Sequence, residues 1–170
     1  MTAQTATDEY FLRQAIAQAW AARRAGEEPI GAVLVLDGMV VAEAHNRDIA
    51  RSDPTQHAEL ILISEYCRAE QRLALDGFTL YTSAEPCVMC SGAIKWARIS
   101  RVVFSVSQAM LQQHSGGRLK PSCASIINSG YRQIEIVGPL LAEEGLAVLD
   151  GHNFGNKTER REAAIRPMAD

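Results

Sequence analysis

Four side chains in two short segments have the types and spacing needed to bind a metal ion and use it. His57 and Glu59 lie two residues apart, and Cys87 and Cys90 lie three residues apart, directly after Pro86. One imidazole and two thiolates are three good ligands for Zn²⁺. Structural zinc sites are closed by four protein ligands, whereas catalytic sites keep one position for water. No fourth Cys or His occurs at a comparable spacing, so the pattern predicts an open zinc site with His57, Cys87 and Cys90 as its ligands.

Glu59 is the candidate catalytic residue of this pattern. At the start of a helix, two residues beyond His57, its carboxylate would lie near the metal without being bound to it. From there it could take a proton from water and pass it to a substrate, which contributes roughly 10²–10⁴-fold in rate. Cys87 and Cys90 stand one helical turn apart, so both sulfurs can point the same way, and a helix N-terminus favours the thiolate form that a metal needs.

Helices and strands alternate along the chain after an opening hairpin. Apolar residues at helical spacing predict a first helix from Thr7 to Gly26, and Asp37-Gly38 is a strong two-residue hairpin signal between two apolar runs. Such alternation implies a mixed sheet covered on both faces, which is a three-layer α/β/α sandwich. We predict strands at residues 32–36, 39–44, 78–82, 101–106 and 133–137, and further helices at 57–70, 87–98, 122–128 and 139–149. Residues 107–121, which Gly116-Gly117 and Pro121 interrupt, are left unassigned.

Length and charge restrict the organisation of the chain and its partners. We predict one domain over residues 1–170, with residues 151–170 as a C-terminal tail. The formal net charge is −3, whereas proteins that grip nucleic acid usually show a basic surface, so the charge argues against a nucleic-acid partner. The first residues lack the basic and apolar regions of a signal peptide, and no apolar run approaches the ~20 residues that span a bilayer. We therefore expect a cytoplasmic protein without a membrane partner.

Several further segments accompany the two motifs, which themselves follow the pattern H-x-E and P-C-x-x-C of zinc-dependent base deaminases. Over residues 10–106 the chain resembles the zinc-dependent cytidine/deoxycytidylate deaminase superfamily. The resemblance is to the branch that contains guanine deaminases, tRNA adenosine deaminases and fungal-type cytosine deaminase, and the remainder of the chain matches poorly. The matching segments are PIGAV at residues 29–33, HN at 45–46, SDPT at 52–55, TLYTS at 79–83 and EPCVMC at 85–90.

This resemblance implies a five-stranded sheet whose last two strands are parallel, and a homodimer whose interface borders the active site. It also implies that Asn46, in the loop after the second strand, contacts the substrate, and that Trp96 borders the base pocket. Trp96 follows Cys87 by nine residues, which is about 180° around a regular helix. It would therefore face its own zinc only if the helix has ended, or else a partner's site, and packing in the core or in an interface is an equal alternative.

The activity implied by the resemblance is zinc-dependent hydrolytic deamination of a small nucleobase-like heterocycle, with release of ammonia. The net charge and the segment KWAR at residues 95–98 favour guanine, while the poor match after residue 106 leaves related aminopurines, pyrimidines and triazines open. One alternative is a deaminase that converts adenosine to inosine in tRNA, and another is a non-enzymatic zinc-binding module that keeps the fold. Under the tRNA alternative, a local basic rim would come from Arg47, Arg51, Arg98 and Arg101.

Candidate residues beyond the matched region are less specific. Three acidic residues could each pair with the edge of a base, and the sequence does not choose among Glu143, Glu144 and Asp150. His152 and Phe154 could close a pocket, although a surface turn is the simpler interpretation. His114 is expected in an exposed loop.

Overall fold

The computed structural model describes residues 3–115 and 121–154, which form six helices and five strands. The sequence predicts a C-terminal tail at residues 151–170, with a mixed-charge run at 157–162. From residue 155 onward this tail lies outside the described residues. In chain order the elements are α1 (Ala3–Arg24), β1 (Gly31–Leu36), β2 (Met39–His45), α2 (Ala58–Ala69), β3 (Thr79–Ala84), α3 (Val88–Trp96), β4 (Arg101–Val106), α4 (Gln108–Ser115), α5 (Cys123–Ile127), β5 (Glu135–Val137) and α6 (Ala142–Leu149).

The five strands form one mixed sheet in the order β2-β1-β3-β4-β5. β1 is antiparallel to both β2 and β3, whereas β4 is parallel to β3 and to β5. The predicted hairpin is present, and its two turn residues, Asp37 and Gly38, have positive φ angles of 50° and 74°. Positive φ at both central residues is the signature of the turn that matches the twist of a hairpin. The predicted mixed five-stranded sheet is confirmed.

Helices cover both faces of this sheet. On one face an apolar cluster joins Leu34, Leu80 and Val102 of the sheet to residues of α2, α3 and α5. On the other face Val33 and Val103, whose side chains alternate with those of the first set, pack against α1 and α6. The architecture is therefore the predicted three-layer α/β/α sandwich. None of the described helices is long and apolar enough to cross a bilayer.

The strand directions bring several chain segments to one edge of the sheet. β2, β3 and β4 all point the same way, because the antiparallel β1 separates β2 from β3. Their carboxyl ends therefore lie together, and the loop after β2, the start of α3 and the start of α4 all follow from that edge. Open α/β sheets bind ligands at such strand ends.

Three elements differ from the prediction. Residues 108–115 form the helix α4. The sequence did not predict it, because these residues are largely polar and show no apolar stripe. Helix α1 begins at Ala3, and Asp8 is not a residue of its first turn but a buried acid that binds Arg101 and the hydroxyl of Tyr81. Helix α6 begins at Ala142 instead of residue 139. For α4 a contact with a distant residue fixes the start, because the N–H of Gln108 donates to Glu85, 23 residues away.

Candidate metal and active site

His57 and Cys87 occupy equivalent positions at the starts of two helices. Each is the N-cap residue and has an extended backbone, with φ/ψ of −81°/148° at His57 and −69°/173° at Cys87. An N-cap side chain usually accepts a backbone N–H of its own helix, but neither of these does so. Instead the two side chains approach each other, and Cys90, one turn into α3, joins them.

The three ligand atoms form a triangle of the size that zinc requires. His57 Nδ1 lies 3.6 Å from Cys87 Sγ and 3.7 Å from Cys90 Sγ, and the two sulfurs are 3.6 Å apart. In a tetrahedral site, Zn–S and Zn–N bonds of normal length place such atoms about 3.5–3.8 Å from one another. Within residues 3–115 and 121–154, no further His, Cys, Asp or Glu joins this group. The donor set therefore fits a zinc ion with three protein ligands and one remaining position.

The surroundings of the two sulfurs favour a negative charge on Cys87. A proton shared with Cys90 lowers the pKa of the Cys87 thiol to about 3, against the effect of burial and with help from the neighbouring His57. The same shared proton, together with burial, raises the pKa of Cys90. The positive ends of α2 and α3 both point at this group, and a bound Zn²⁺ would take the place of the shared proton, so that both sulfurs bind as thiolates.

Glu59 lies in the first turn of α2 and is only 3% exposed. Its Oε2 is 3.5 Å from Cys90 Sγ, and its Oε1 is 3.4 Å from the hydroxyl of Thr82, which donates to it. Burial and the negative charge of Cys87 raise the pKa of the Glu59 carboxyl, while His57 lowers it. A buried carboxyl beside the ligands, but outside their group, has the position that proton transfer needs.

Asn46 reaches the site because it caps α2. The fully buried side chain accepts, through Oδ1, the backbone N–H of Ala58 at 2.8 Å. Asn46 thus provides the cap that His57 does not. Its Nδ2 has no hydrogen-bond partner among the described residues. A buried donor without a partner is costly, so an acceptor on a ligand would satisfy it, as the predicted substrate contact requires.

Two buried glutamates that the sequence analysis missed hold the segments on either side of the site. Glu27 accepts two backbone N–H bonds, at 2.9 and 2.7 Å, from the loop that carries Asn46. Glu85 accepts the backbone N–H groups at the starts of α4 and α5, both at 2.8 Å. In the sequence, Glu27 is seen only as an acidic residue beside Gly26, and Glu85 only as an acidic residue beside Pro86. Such signals cannot reveal partners that lie 22 to 38 residues away.

Trp96 is the last residue of α3 and is 86% exposed, so it does not pack in the core of this chain. The helix continues regularly from Val88 to Trp96, which places Trp96 roughly 12 Å along the axis from the zinc ligands. Trp96 would face the zinc site of its own chain only if α3 ended before it, and α3 does not. The substrate role of Trp96 stays a prediction that requires the site of a second copy.

The remaining candidates lie elsewhere. Glu144 pairs with Arg13 of α1 at 2.9 Å, on the face of the sheet opposite α2 and α3. His114 is exposed but belongs to α4, so the expectation of a loop is wrong. The rings of His152 and Phe154 contact each other edge to face, with centroids 4.7 Å apart. None of these residues joins the group around His57.

Comparison with known proteins places this arrangement in a family. The model of the cytidine and deoxycytidylate deaminase zinc-binding region matches residues 5–106. A tRNA-specific adenosine deaminase of Aquifex aeolicus is 43% identical over 108 residues, which are 64% of this chain and 70% of that protein. A guanine deaminase of Bacillus subtilis is 44% identical over 98 residues, which are 57% of this chain and 63% of that protein.

A solved structure gives the same result for the fold. It comes from a study of A-to-I editing by tRNA:A34 deaminases and aligns with a TM-score of 0.68 and 32% identity, over 82% of this chain and 99% of the other. The family match covers more than half of the chain and includes all three ligand residues, Glu59 and Asn46. The chain therefore belongs to the cytidine and deoxycytidylate deaminase family, whose domain binds zinc.

Proposed function

We propose that this chain is an active enzyme that removes the exocyclic amino group of a nucleobase-type ring by hydrolysis. The observation that carries the proposal is the buried carboxylate of Glu59 beside three close ligand atoms, with its Oε2 3.5 Å from Cys90 Sγ. In a non-enzymatic zinc module this carboxylate would have no function, and burying an acid costs stability that only a function would justify. The position of Glu59 therefore favours an enzyme over the zinc-module alternative.

The residues of the site divide the proposed reaction among them. His57, Cys87 and Cys90 would hold the zinc, which when bound supplies a Lewis acid that makes water nucleophilic near neutral pH. Glu59 takes one proton from the attacking water at a carboxylate oxygen and passes it to a ring nitrogen. It then takes the second proton from the hydroxyl that the water has become and passes it to the departing amine. The amino-bearing carbon gains a C=O bond as its C–N bond breaks, and ammonia leaves. Asn46 donates from Nδ2 to an acceptor on the ring and holds it in place.

Adenosine in tRNA is the first candidate substrate. The relative named as a tRNA-specific adenosine deaminase matches 64% of this chain, against 57% for the one named as a guanine deaminase. These relatives do not support the prediction that nucleic acid is an unlikely partner. Arg47 and the exposed Arg51 lie on the same loop as Asn46, where they could contact phosphates.

A free base such as guanine is the second candidate, and one feature of the ion pairs favours it. Arg98 pairs with Asp76 at 3.1 Å. Arg101, whose side chain is 14% exposed, pairs with Asp8 at 2.7 Å and with Glu135 at 3.0 Å. Arg47 has a longer ion pair with Glu65, at 4.0 Å, so carboxylates pair with three of the four arginines from which a basic rim was predicted. The net charge of −3 supports the same candidate.

A direct comparison of substrates tests both candidates. Inosine formation in a tRNA anticodon stem-loop would be measured beside ammonia release from a panel of aminated purines, pyrimidines, triazines and nucleosides. Turnover of RNA that falls steeply with added salt supports the first candidate, because phosphate contacts make binding salt-dependent. Turnover of a base without turnover of RNA supports the second. Absence of turnover on every substrate by the zinc-loaded protein would overturn the proposal of an enzyme.

Arginine variants sharpen this comparison. Arg47→Gln and Arg51→Gln should weaken turnover of the RNA and leave turnover of a base unchanged. Arg98→Gln is the matched control, because Arg98 lies outside this loop and pairs closely with Asp76 at 3.1 Å, whereas Arg47 and Glu65 are 4.0 Å apart. An equal loss of RNA turnover in all three variants would argue against a specific contact on the loop after β2.

We also propose that the chain forms a homodimer through an apolar stripe on α3. Val88, Met89, Gly92 and Trp96 fall on one side of this helix, and the three with side chains are exposed. Lys95 turns its ammonium group away to Ser129, at 2.9 Å, so it adds no charge to the stripe. Exposed contiguous apolar surface of this kind marks an interaction site, and a second copy of the chain is the commonest partner.

Light scattering of two variants tests the dimer. Trp96→Lys should give a monomer, since it puts a charge into the stripe. Leu73→Lys is the control, because Leu73 is equally exposed but lies between α2 and β3, outside the stripe. A dimer that persists in Trp96→Lys would refute the proposed interface. If the interface is correct, the predicted role of Trp96 at a base pocket is a role in the site of the second copy.

A further inference from the structure

Glu85 is a buried charged residue that the proposed reaction does not use. Its side chain and backbone make four hydrogen bonds, and the residue is 8% exposed. Oε2 accepts the backbone N–H of Gln108 and Oε1 accepts that of Cys123, both at 2.8 Å. The carbonyl oxygen accepts the side-chain amide of Gln108 at 2.7 Å, and the Glu85 N–H donates to the carbonyl of Val106 at 2.7 Å.

These bonds all lead to one part of the chain. Gln108 is the first residue of α4 and Cys123 is the first residue of α5, so a single carboxylate meets the N-termini of two helices. A negative charge is favourable there, because the unpaired N–H groups and the helix dipoles both attract it. The two helices therefore have their starting points fixed by Glu85.

The location of Glu85 connects these helices to the zinc site. It lies two residues before Cys87, and two residues span at most about 7 Å of chain. The starts of α4 and α5 are thus at the border of the site, on the edge of the sheet where β3 and β4 end. The family model matches residues 5–106, so both helices lie beyond the matched residues.

We propose that Glu85 is a positioning residue that holds α4 and α5 as a wall of the substrate pocket, and that this wall selects among substrates. The carboxylate belongs to the part of the chain that the family model matches, whereas the wall it fixes lies beyond residue 106, where that match ends. This inference rests on the proposed deaminase activity.

Glu85→Gln is the variant that tests it. The amide has nearly the size of the carboxylate, but it keeps one acceptor and presents an NH₂ group where the other stood. One of the two helices therefore loses its partner and meets a donor instead. Two controls weaken the same helices without touching Glu85. Ser107→Ala removes the hydroxyl that accepts the Met110 N–H in α4, and Ser122→Ala removes the one that accepts the Ser125 N–H in α5.

Four quantities would be measured for each variant: zinc per chain, the midpoint of thermal unfolding, amide hydrogen exchange in α4 and α5, and kcat and KM for two substrates that the parent protein turns over. We expect Glu85→Gln to keep its zinc, to exchange faster at the start of α4 or α5, and to change the ratio of kcat/KM between the two substrates by roughly tenfold. The change should lie in KM more than in kcat, because the ligands and Glu59 keep their places. The two serine variants should leave the ratio unchanged even where they lower the midpoint.

Three results would overturn the inference. If Glu85→Gln loses activity on both substrates in equal proportion, as the serine variants with the same midpoint do, Glu85 only stabilises the fold. If it loses zinc, the carboxylate acts on the metal centre and not on a wall. If hydrogen exchange in α4 and α5 is unchanged, Glu85 does not position them. A parent protein that turns over nothing would instead refute the proposed function, and the selection of substrates with it, while hydrogen exchange would still decide whether Glu85 positions the helices.

Discussion

Asn46 has two hydrogen-bonding atoms with separable tasks, and two substitutions distinguish them. Oδ1 caps α2 through the Ala58 N–H at 2.8 Å, and Nδ2 has no partner among the described residues. Asn46→Ala removes the cap and leaves a buried N–H unpaired, which should lower the free energy of unfolding by about 1–3 kcal/mol. Asn46→Asp keeps an acceptor for the same N–H, at a helix N-terminus where negative charge is favoured, so it should lose less stability than the alanine variant.

The two variants should lose activity to a similar extent, because both lack the Nδ2 donor. One hydrogen bond to substrate contributes about 1–2 kcal/mol, so we expect kcat/KM to fall roughly 5- to 30-fold in each. Urea unfolding gives the stability, steady-state kinetics gives the activity, and zinc content should be unchanged, since Asn46 is not a ligand. Asn46→Asp with the kcat/KM of the parent would refute the substrate contact. Asn46→Ala with the stability of the parent would refute the cap.

Three further substitutions test how the fold supports the site. Asp8→Asn should lower the free energy of unfolding by about 1–3 kcal/mol at pH 7, because Arg101 keeps only the exposed Glu135 as a charged partner. Burial raises the pKa of Asp8, but the hydrogen bonds from Arg101 outweigh it, so the pKa lies below the ordinary Asp value. The stability that the ionised Asp8 contributes is therefore present above the ordinary pKa and is lost as the pH falls through the lower native pKa. Urea unfolding at several pH values should show that the stability difference between the parent and Asp8→Asn becomes smaller in acid. Gly31→Ala should lower the free energy of unfolding by about 1–3 kcal/mol in the same assay, because its Cβ would collide with the backbone of Ala19, and a neutral result would mean that α1 can shift. Glu27→Gln should raise KM at unchanged zinc content, because it loosens the loop that follows β2, and an unchanged KM would separate that loop from the substrate.

The features that sequence predicted well are those whose cause is local. The Asp37-Gly38 turn requires positive φ at two residues, and few residue pairs permit this. β4 has the predicted bounds at both ends, Arg101–Val106, and its local signal is the apolar core Val102, Val103 and Phe104. The zinc ligands were found because imidazole and thiol groups at such spacings have few other uses.

The features that sequence did not predict depend on partners far along the chain. Asp8 reads locally as an acid in a first helical turn, but the arginine that binds it lies 93 residues away. Helix α4 lacks an apolar stripe, and its first N–H group donates to Glu85, which follows β3 and lies 23 residues away. The relatives support the substrate preference drawn from net charge no better than its tRNA alternative. A total charge does not say where cations lie, and Arg47 and Arg51 lie together on the loop after β2.

The most direct test of the account measures zinc content and turnover in the same preparations of three proteins. The parent should hold about one zinc per chain and deaminate a substrate, and Cys90→Ala should lose the metal, since Cys90 is one of only three close ligands in the described residues. Glu59→Gln should keep the zinc and the fold but lose roughly 10²–10⁴-fold in kcat, because the amide cannot carry the proton. Loss of zinc from Glu59→Gln, or turnover by it near that of the parent, would contradict the account.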